Sequence, residues 1–178
     1  MNLDAIKAAL PPYAKDLRLN IESVLSEGGT PGLTAKQIRA VALASAIAAR
    51  HGPLTRAIET LASEQLDATE LDGVRAAATM MGMTNVYYRF THLVANKEYE
   101  TLRASLRMNV MANPGIEKVA FEAASLAVSA VNGCGMCLDS HEKTLRQHGV
   151  SAQGVQSIVR IASVIHAVAV TLEQVAVA

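Results

Sequence analysis

Hydrophobic positions recur along most of the chain at spacings of three and four residues, the pattern of one buried face of an α-helix. No Asn-Gly or Asp-Gly pair separates two alternating runs, and the pair Asn132-Gly133 joins two helical patterns. We therefore predict an all-α fold. The clearest helical run consists of Val155, Ile158, Val159, Ala162, Ile165 and Ala169.

Capping sequences indicate where several helices begin and end. Thr34–Gln37 and Asp67–Glu70 each have the spacing of a capping box, so each is predicted to open a helix. The first of these helices should end near His51-Gly52-Pro53. Asn113-Pro114 pairs a cap residue with a first-turn proline, which predicts a further helix start.

The two halves of the chain resemble each other without a gap. Leu54 matches Leu138 and Ala78 matches Ala162, each pair 84 positions apart (54 to 138, 78 to 162). Similarity at a constant offset indicates duplication of one helical unit, although two Ala-rich amphipathic helices can also match by chance. We predict a single domain over residues 1–178, with a scaffold half at about 34–85 and a catalytic half at about 118–170.

Composition narrows the class of protein. A chain of 178 residues suits one domain, and a hydrophobic fraction of 51% excludes a disordered chain. The 16 basic and 16 acidic side chains balance, which argues against binding to nucleic acid. Aromatic residues make up 3% and Trp is absent, so platforms for stacking bases are not expected.

The chain shows no pattern of a secretory signal, because charges occupy its first residues. The most apolar stretch, 161–177, is interrupted by polar residues and falls short of about 18 clean apolar positions. We interpret it as a buried helix and expect a cytoplasmic protein without membrane contact. Thiols stay reduced in that compartment, so a close cysteine pair there is more typical of catalysis or metal binding than of a structural disulfide.

Cys134 and Cys137 are the only cysteines. The helix breaker Asn132-Gly133 predicts that a helix begins at this pair, where two thiols three residues apart can reach disulfide distance. A helix N-terminus also stabilises a thiolate and lowers the pKa of the thiol. His141 follows Cys137 by four residues, so it shares the same helix face.

Glu122 completes the candidate site. No charged residue follows Glu122 until Asp139, so Glu122 borders a stretch that is predicted to be buried. We expect burial to raise the pKa of this carboxyl group. If the chain turns at Asn132-Gly133, Glu122 approaches His141, and the imidazole could then deprotonate Cys137.

Two simpler interpretations stay open for these residues. The cysteines could be half of a zinc site, completed by His141 and Glu122, although no second CxxC exists. They could also be inert buried thiols. The methionine cluster 80–83 is interpreted as core packing.

The spacing of Glu122, Cys134-x-x-Cys137 and His141 resembles the alkylhydroperoxidase D (AhpD) family of the carboxymuconolactone decarboxylase-like superfamily. The segments 85–90, 127–134 and 141–146 are similar to that family as well, and the similarity extends over essentially the whole chain. The resemblance implies an all-helical, trimeric, thiol-dependent peroxidase that binds no cofactor. It also implies electrons from dihydrolipoyl groups (dihydrolipoamide) on a carrier protein, and re-reduction of the partner peroxiredoxin, alkyl hydroperoxide reductase C.

The resemblance assigns a role to each site residue. Cys137 would attack the peroxide, become sulfenic acid and link transiently to the peroxiredoxin in an interchain disulfide. Cys134 would donate a proton and close the redox disulfide, and His141 with Glu122 would form the proton relay. Met136 stands where the family can place a histidine directly before the second cysteine, and a thioether cannot carry protons.

Two rival functions remain. The first is a decarboxylase or another cofactor-free enzyme of the same superfamily, for which the cysteine pair need not be used. The second is a zinc-dependent or redox-responsive interaction module that senses oxidant without turnover.

Overall fold

The structure is a computed structural model that describes residues 2–176, and all regular structure in that range is helical. The predicted all-α fold is therefore confirmed. Two short 3₁₀ turns, Pro12–Ala14 and Asn109–Ala112, accompany the α-helices. These helices are α1 Leu3–Ala9, α2 Lys15–Val24, α3 Ala35–Ala49, α4 Gly52–Ala62, α5 Ala68–Leu93, α6 Glu98–Thr101, α7 Lys118–Asn132, α8 Gly135–Gln147 and α9 Ala152–Ala176.

Both predicted capping boxes are confirmed. Thr34 caps α3 and Asp67 caps α5, and in each box the side chain of the third helical residue accepts from the backbone N–H of the cap. The helix start predicted at Asn113-Pro114 is wrong, because α7 begins only at Lys118. Gly115, with φ of +79°, takes the backbone out of the helical region directly after the proline.

The core is centred on α3 and α7, which pack against each other more extensively than any other pair of helices described. Every residue from 40 to 46 in α3 and from 120 to 129 in α7 is buried. Most of these residues are alanines or serines, whose small side chains let two helix backbones approach closely. These two stretches are therefore buried on all sides, and Glu122 is the one charged residue within them.

Helices of the two halves follow each other in the same order. Helix α3 packs against α4, α5 and α9, and α7 packs in the corresponding way against α8, α9 and α5. His51 caps α4 through a side chain that accepts from the backbone N–H three residues on, and Cys134 caps α8 in the same manner. Duplication of one unit stays a prediction, and it accounts for this correspondence.

Helix α9 is long and apolar enough to span a membrane by length and composition, and half of its most apolar window is buried. It packs against α2, α3 and α7, as the core helix of a globular domain does. Its buried face agrees with the interpretation of 161–177 as a buried helix, except for Val177, which lies outside the described residues.

Two glycines of α5 provide a matched test of this packing. A Cβ atom at Gly73 would lie 2.7 Å from the carbonyl oxygen of Pro114, whereas a Cβ at Gly82 meets nothing within 4 Å. We expect Gly73→Ala to lower the free energy of unfolding by about 1–3 kcal/mol, because the segment before α7 must move. Gly82→Ala should raise it by about 0.5–1 kcal/mol through helix propensity.

Urea denaturation of both variants checks this prediction. If both variants change the free energy of unfolding in the same direction, the close approach of the 114–116 segment to α5 is contradicted.

Candidate active site

The turn between α7 and α8 places both cysteines at a helix N-terminus. Helix α7 ends at Asn132, and Gly133 adopts a left-handed φ of +69° that a side chain would disfavour. Cys134 is the N-cap of α8, and its Sγ lies 3.3 Å from the backbone N–H of Cys137. The positive end of the α8 dipole therefore lies at the sulfur atoms and favours negative charge there.

The two cysteines form a disulfide, with their Cα atoms 5.3 Å apart. Their environments differ. Cys134 is fully buried, whereas Cys137 is 7% exposed and lines a cavity of about 330 Å³. A small molecule in this cavity can therefore contact Cys137 directly. The cavity is lined by Met81, Thr84, Tyr88, Met108, Met111, Met136, Cys137, Ser140 and His141.

Glu122 and His141 meet as the sequence indicated, across the contact between α7 and α8. His141 Nδ1 lies 2.7 Å from Glu122 Oε2, and both residues are buried. The other carboxylate oxygen, Oε1, lies 2.7 Å from Nζ of Lys118, one turn earlier in α7. Each oxygen of this buried carboxylate therefore has a cationic or N–H partner.

The pKa of Glu122 differs from the expectation. Burial raises the pKa of this carboxyl group, but the hydrogen bonds from His141 and Lys118 outweigh burial and bring the pKa below its ordinary value. The expected raised pKa is therefore wrong. Glu122 remains a carboxylate near neutral pH, so it orients the His141 ring instead of storing a proton itself.

The second ring nitrogen of His141 is not hydrogen-bonded to either cysteine. Nε2 lies 3.2 Å from Sδ of Met81, a buried residue of α5. Among the described residues, the hydrogen-bond partners of the imidazole are thus Glu122 and Met81, and the direct approach to the Cys137 sulfur expected from the sequence is not formed in this disulfide state.

Sequence reasoning missed two of these contacts. Lys118 could have been found, because a Lys four residues before a Glu is a recognised helical ion pair. Met81 carries no such signal, because a methionine in an apolar run is typical of core packing. Within residues 2–176, no group of three or more His, Cys, Asp or Glu side chains is arranged to hold a metal ion.

A polar network on α5 supports the turn that carries the cysteines. The Asn132 amide donates to Asn85 Oδ1 at 3.0 Å, and the Asn85 amide donates to Ser129 Oγ at 3.0 Å. Arg89 donates to the backbone carbonyl of Asn132 at 2.7 Å. These hydrogen bonds hold the end of α7 against α5, and they therefore fix the position of the turn at Gly133 and Cys134.

Comparison with known proteins shows the family of the chain. The profile of the carboxymuconolactone decarboxylase family matches residues 97–178. A protein named alkyl hydroperoxide reductase AhpD from Rhodospirillum centenum is 52% identical over 97% of this chain and 91% of the relative. Proteins of the same name from Brucella suis and Streptomyces griseus are 47% and 51% identical, each over 97% of this chain and 97% and 96% of the relatives.

The similarity to these three relatives extends over nearly the full length of this chain and of each relative. The chain therefore belongs to the AhpD family, within the larger group of carboxymuconolactone decarboxylase-like proteins.

The buried carboxylate leads to a prediction about stability and pH. Replacing Glu122 by Gln leaves Lys118 and His141 without a charged acceptor, so we expect the free energy of unfolding near pH 7 to fall by about 1–3 kcal/mol. Because the folded-state pKa lies below the ordinary value of 4.5, this advantage of the wild type is present above that pH and is lost as the pH falls through the folded value.

Urea denaturation of the wild type and Glu122→Gln between about pH 7 and pH 3 measures the difference. Glu142→Gln is the matched control, because Glu142 is about half exposed and lies 3.8 Å from Arg146. A difference between the wild type and Glu122→Gln that stays constant over this pH range would contradict the lowered pKa.

Proposed function

We propose that this protein is a lipoyl-dependent alkyl hydroperoxide reductase with a CxxC dithiol that cycles through a disulfide. The observation that carries the proposal is the place of Cys137, in the first turn of α8 and on the wall of a cavity shared with His141. The names of the relatives support the alkyl hydroperoxide as substrate.

In the first step, the Cys137 thiolate attacks the terminal oxygen of the hydroperoxide, and the O–O bond breaks. The sulfur is oxidised to sulfenic acid by two electrons, and the alkoxide leaves as an alcohol after taking a proton. Cys134 is the proposed proton donor, because it lies three residues away at the same helix start. Four methionines on the cavity wall offer an apolar surface for the alkyl group.

In the second step, Cys134 attacks the sulfenic sulfur and water leaves. The Cα separation of 5.3 Å suits this bond. Rapid closure of the disulfide protects Cys137 from further oxidation to sulfinic acid. The buried position of Cys134 excludes competing thiols from it, so it suits a resolving residue better than a residue that contacts substrate.

A dihydrolipoyl group on a carrier protein then reduces the disulfide by thiol–disulfide exchange, releasing both cysteine thiols and an oxidised lipoyl disulfide. Cys137 is the sulfur that an external thiol reaches through the cavity. The same access supports a transient mixed disulfide between Cys137 and the peroxiredoxin alkyl hydroperoxide reductase C. No bound cofactor takes part in these steps, and we propose that they occur in the cytoplasm.

His141 and Glu122 are proposed to move and hold protons at the cysteines. The Glu122 carboxylate fixes a hydrogen on Nδ1, and His141 lines the same cavity as Cys137. Met136 lies between the cysteines and lines the same cavity without a titratable group. In the proposed mechanism, the relay therefore depends on His141.

The cysteine chemistry predicts different defects for two variants. Cys137→Ser should abolish peroxide consumption with dihydrolipoamide as reductant, because the attacking sulfur is lost. Cys134→Ser should still react once with peroxide and then stall as a sulfenic acid, which dimedone traps. Coupled consumption assays, dimedone labelling and a zinc determination on the same samples provide the measurements.

The rival superfamily activities predict another outcome. Unchanged activity in Cys137→Ser would indicate a cofactor-free enzyme that does not use the cysteine pair. Stoichiometric zinc, or oxidation without cycling, would indicate the interaction module.

We propose a homotrimer, as the resemblance to the AhpD family implies. An exposed apolar stripe on α5 supports self-association, because Val86, Phe90 and Leu93 lie four and three residues apart on one helix face and are exposed. Phe90 packs edge-on against Tyr99 at 5.1 Å between ring centroids, which partly orders this surface.

The stripe gives a test of the oligomer. We expect Leu93→Glu to shift the protein from trimer to monomer, because a charge would be buried in the interface. Leu19→Glu on α2 is the matched control, since Leu19 is 68% exposed and Leu93 is 73% exposed. Light scattering measures the mass, and a trimer unaffected by Leu93→Glu would exclude this surface as the interface.

A further inference from the structure

Both ring nitrogens of His141 have a close partner. Nδ1 lies 2.7 Å from Glu122 Oε2, and Nε2 lies 3.2 Å from Sδ of Met81. Met81 lies on α5, is 2% exposed and lines the same cavity as His141. A thioether sulfur has lone pairs and no hydrogen, so toward an imidazole nitrogen it acts only as an acceptor.

The partners fix where the hydrogens of the imidazole lie. Glu122 also accepts from the Lys118 ammonium at 2.7 Å, so it is an ionised carboxylate and Nδ1 carries a hydrogen toward it. If Nε2 had no hydrogen, its lone pair would face the lone pairs of the Met81 sulfur at 3.2 Å, which is repulsive. With a hydrogen on Nε2, the same contact is an N–H···S hydrogen bond.

The Met81 sulfur is itself held in place. Asn85 Nδ2 approaches it at 3.7 Å with one N–H while the other N–H donates to Ser129 Oγ at 3.0 Å. The Thr84 hydroxyl lies 3.6 Å from the sulfur but 2.9 Å from the Met80 carbonyl, which is the better acceptor for its single hydrogen. Asn85 therefore steadies the sulfur from one side, and His141 contacts it from another.

We propose that Met81 is a positioning residue of the proton relay, and that its sulfur holds the Nε2 hydrogen of His141 while Cys134 and Cys137 are joined as a disulfide. This inference rests on the proposed function. Besides Glu122 and Lys118, the ionisable group near the ring is Tyr88 in the shared cavity, because Cys137 does not titrate while it is in the disulfide. The segment 108–111 brings only Met108 and Met111 to that cavity.

The arrangement suits the reductive half of the cycle. When an external dithiol opens the disulfide, the sulfur that leaves does so as a thiolate and takes up a proton. A proton on Nε2 is available if the ring turns from Met81 toward that sulfur. Because a thioether is a weak acceptor, it keeps the hydrogen oriented without competing strongly with the thiolate.

The test begins with ¹⁵N NMR of the imidazole rings in the disulfide form near pH 7, without peroxide or reductant. We expect Nε2 of His141 to carry a hydrogen in the wild type and in Met81→Gln, whose side-chain oxygen is also an acceptor. Met81→Leu should lose that hydrogen. Its kcat should fall about five- to tenfold, the effect of one hydrogen bond, while KM for the hydroperoxide changes less than about twofold.

The two variants separate hydrogen bonding from packing. Leu preserves the apolar volume of Met better than Gln does, so a packing role would leave Met81→Leu more active than Met81→Gln. The proposal requires the reverse order. Met80→Leu is the matched control, because Met80 is partly buried on the same helix and does not line the cavity.

An Nε2 without hydrogen in the wild type, or a hydrogen that persists in Met81→Leu, would overturn the proposal even if Met81→Gln does not fold. Because the spectra need no turnover, they decide this inference separately. Absence of peroxidase activity in the wild type would count against the proposed function instead.

Discussion

A buried negative charge organises this protein. Glu122 lies in the most buried part of α7 with only 5% of its surface exposed, where an unpaired carboxylate would be strongly destabilising. Lys118 and His141 each contact one carboxylate oxygen at 2.7 Å, and together they keep the group ionised. Loss of either partner would leave the charge partly uncompensated, so the position of α8 against α7 and the orientation of the imidazole depend on each other.

The turn after α7 places the two cysteines next to this buried charge pair. Gly133 permits the left-handed step that ends α7, and Cys134 immediately caps α8. The same turn gives two cysteines two environments, one fully buried and one on a cavity wall. Under the proposed function, this difference in access separates the resolving sulfur of Cys134 from the sulfur of Cys137 that contacts substrate.

The starts of α3, α5 and α8 could be predicted from the sequence, because capping and helix-breaking signals are local. The capping boxes at Thr34 and Asp67 and the breaker before Cys134 each act within four residues, and each marks a helix start in the structure. The helix expected at Asn113-Pro114 failed because tertiary packing of the next residues against Gly73 overrides the local signal.

The less local features could not be predicted in the same way. The sign of the Glu122 pKa shift depends on two competing effects, burial and hydrogen bonding. Which effect is larger depends on the three-dimensional positions of His141 and Lys118, which the sequence does not give. The contact between His141 and Met81 joins residues 60 positions apart, and nothing in an apolar methionine run distinguishes a sulfur that accepts a hydrogen bond from one that fills space.

The most direct test of the account is a single-turnover experiment on the fully reduced protein. One equivalent of an organic hydroperoxide is added without reductant, and free thiols and product alcohol are counted. We expect both thiols to be lost as one equivalent of alcohol forms, with a Cys134–Cys137 disulfide in the peptide map. Two free thiols after the hydroperoxide has been consumed, or no consumption at all, would contradict it.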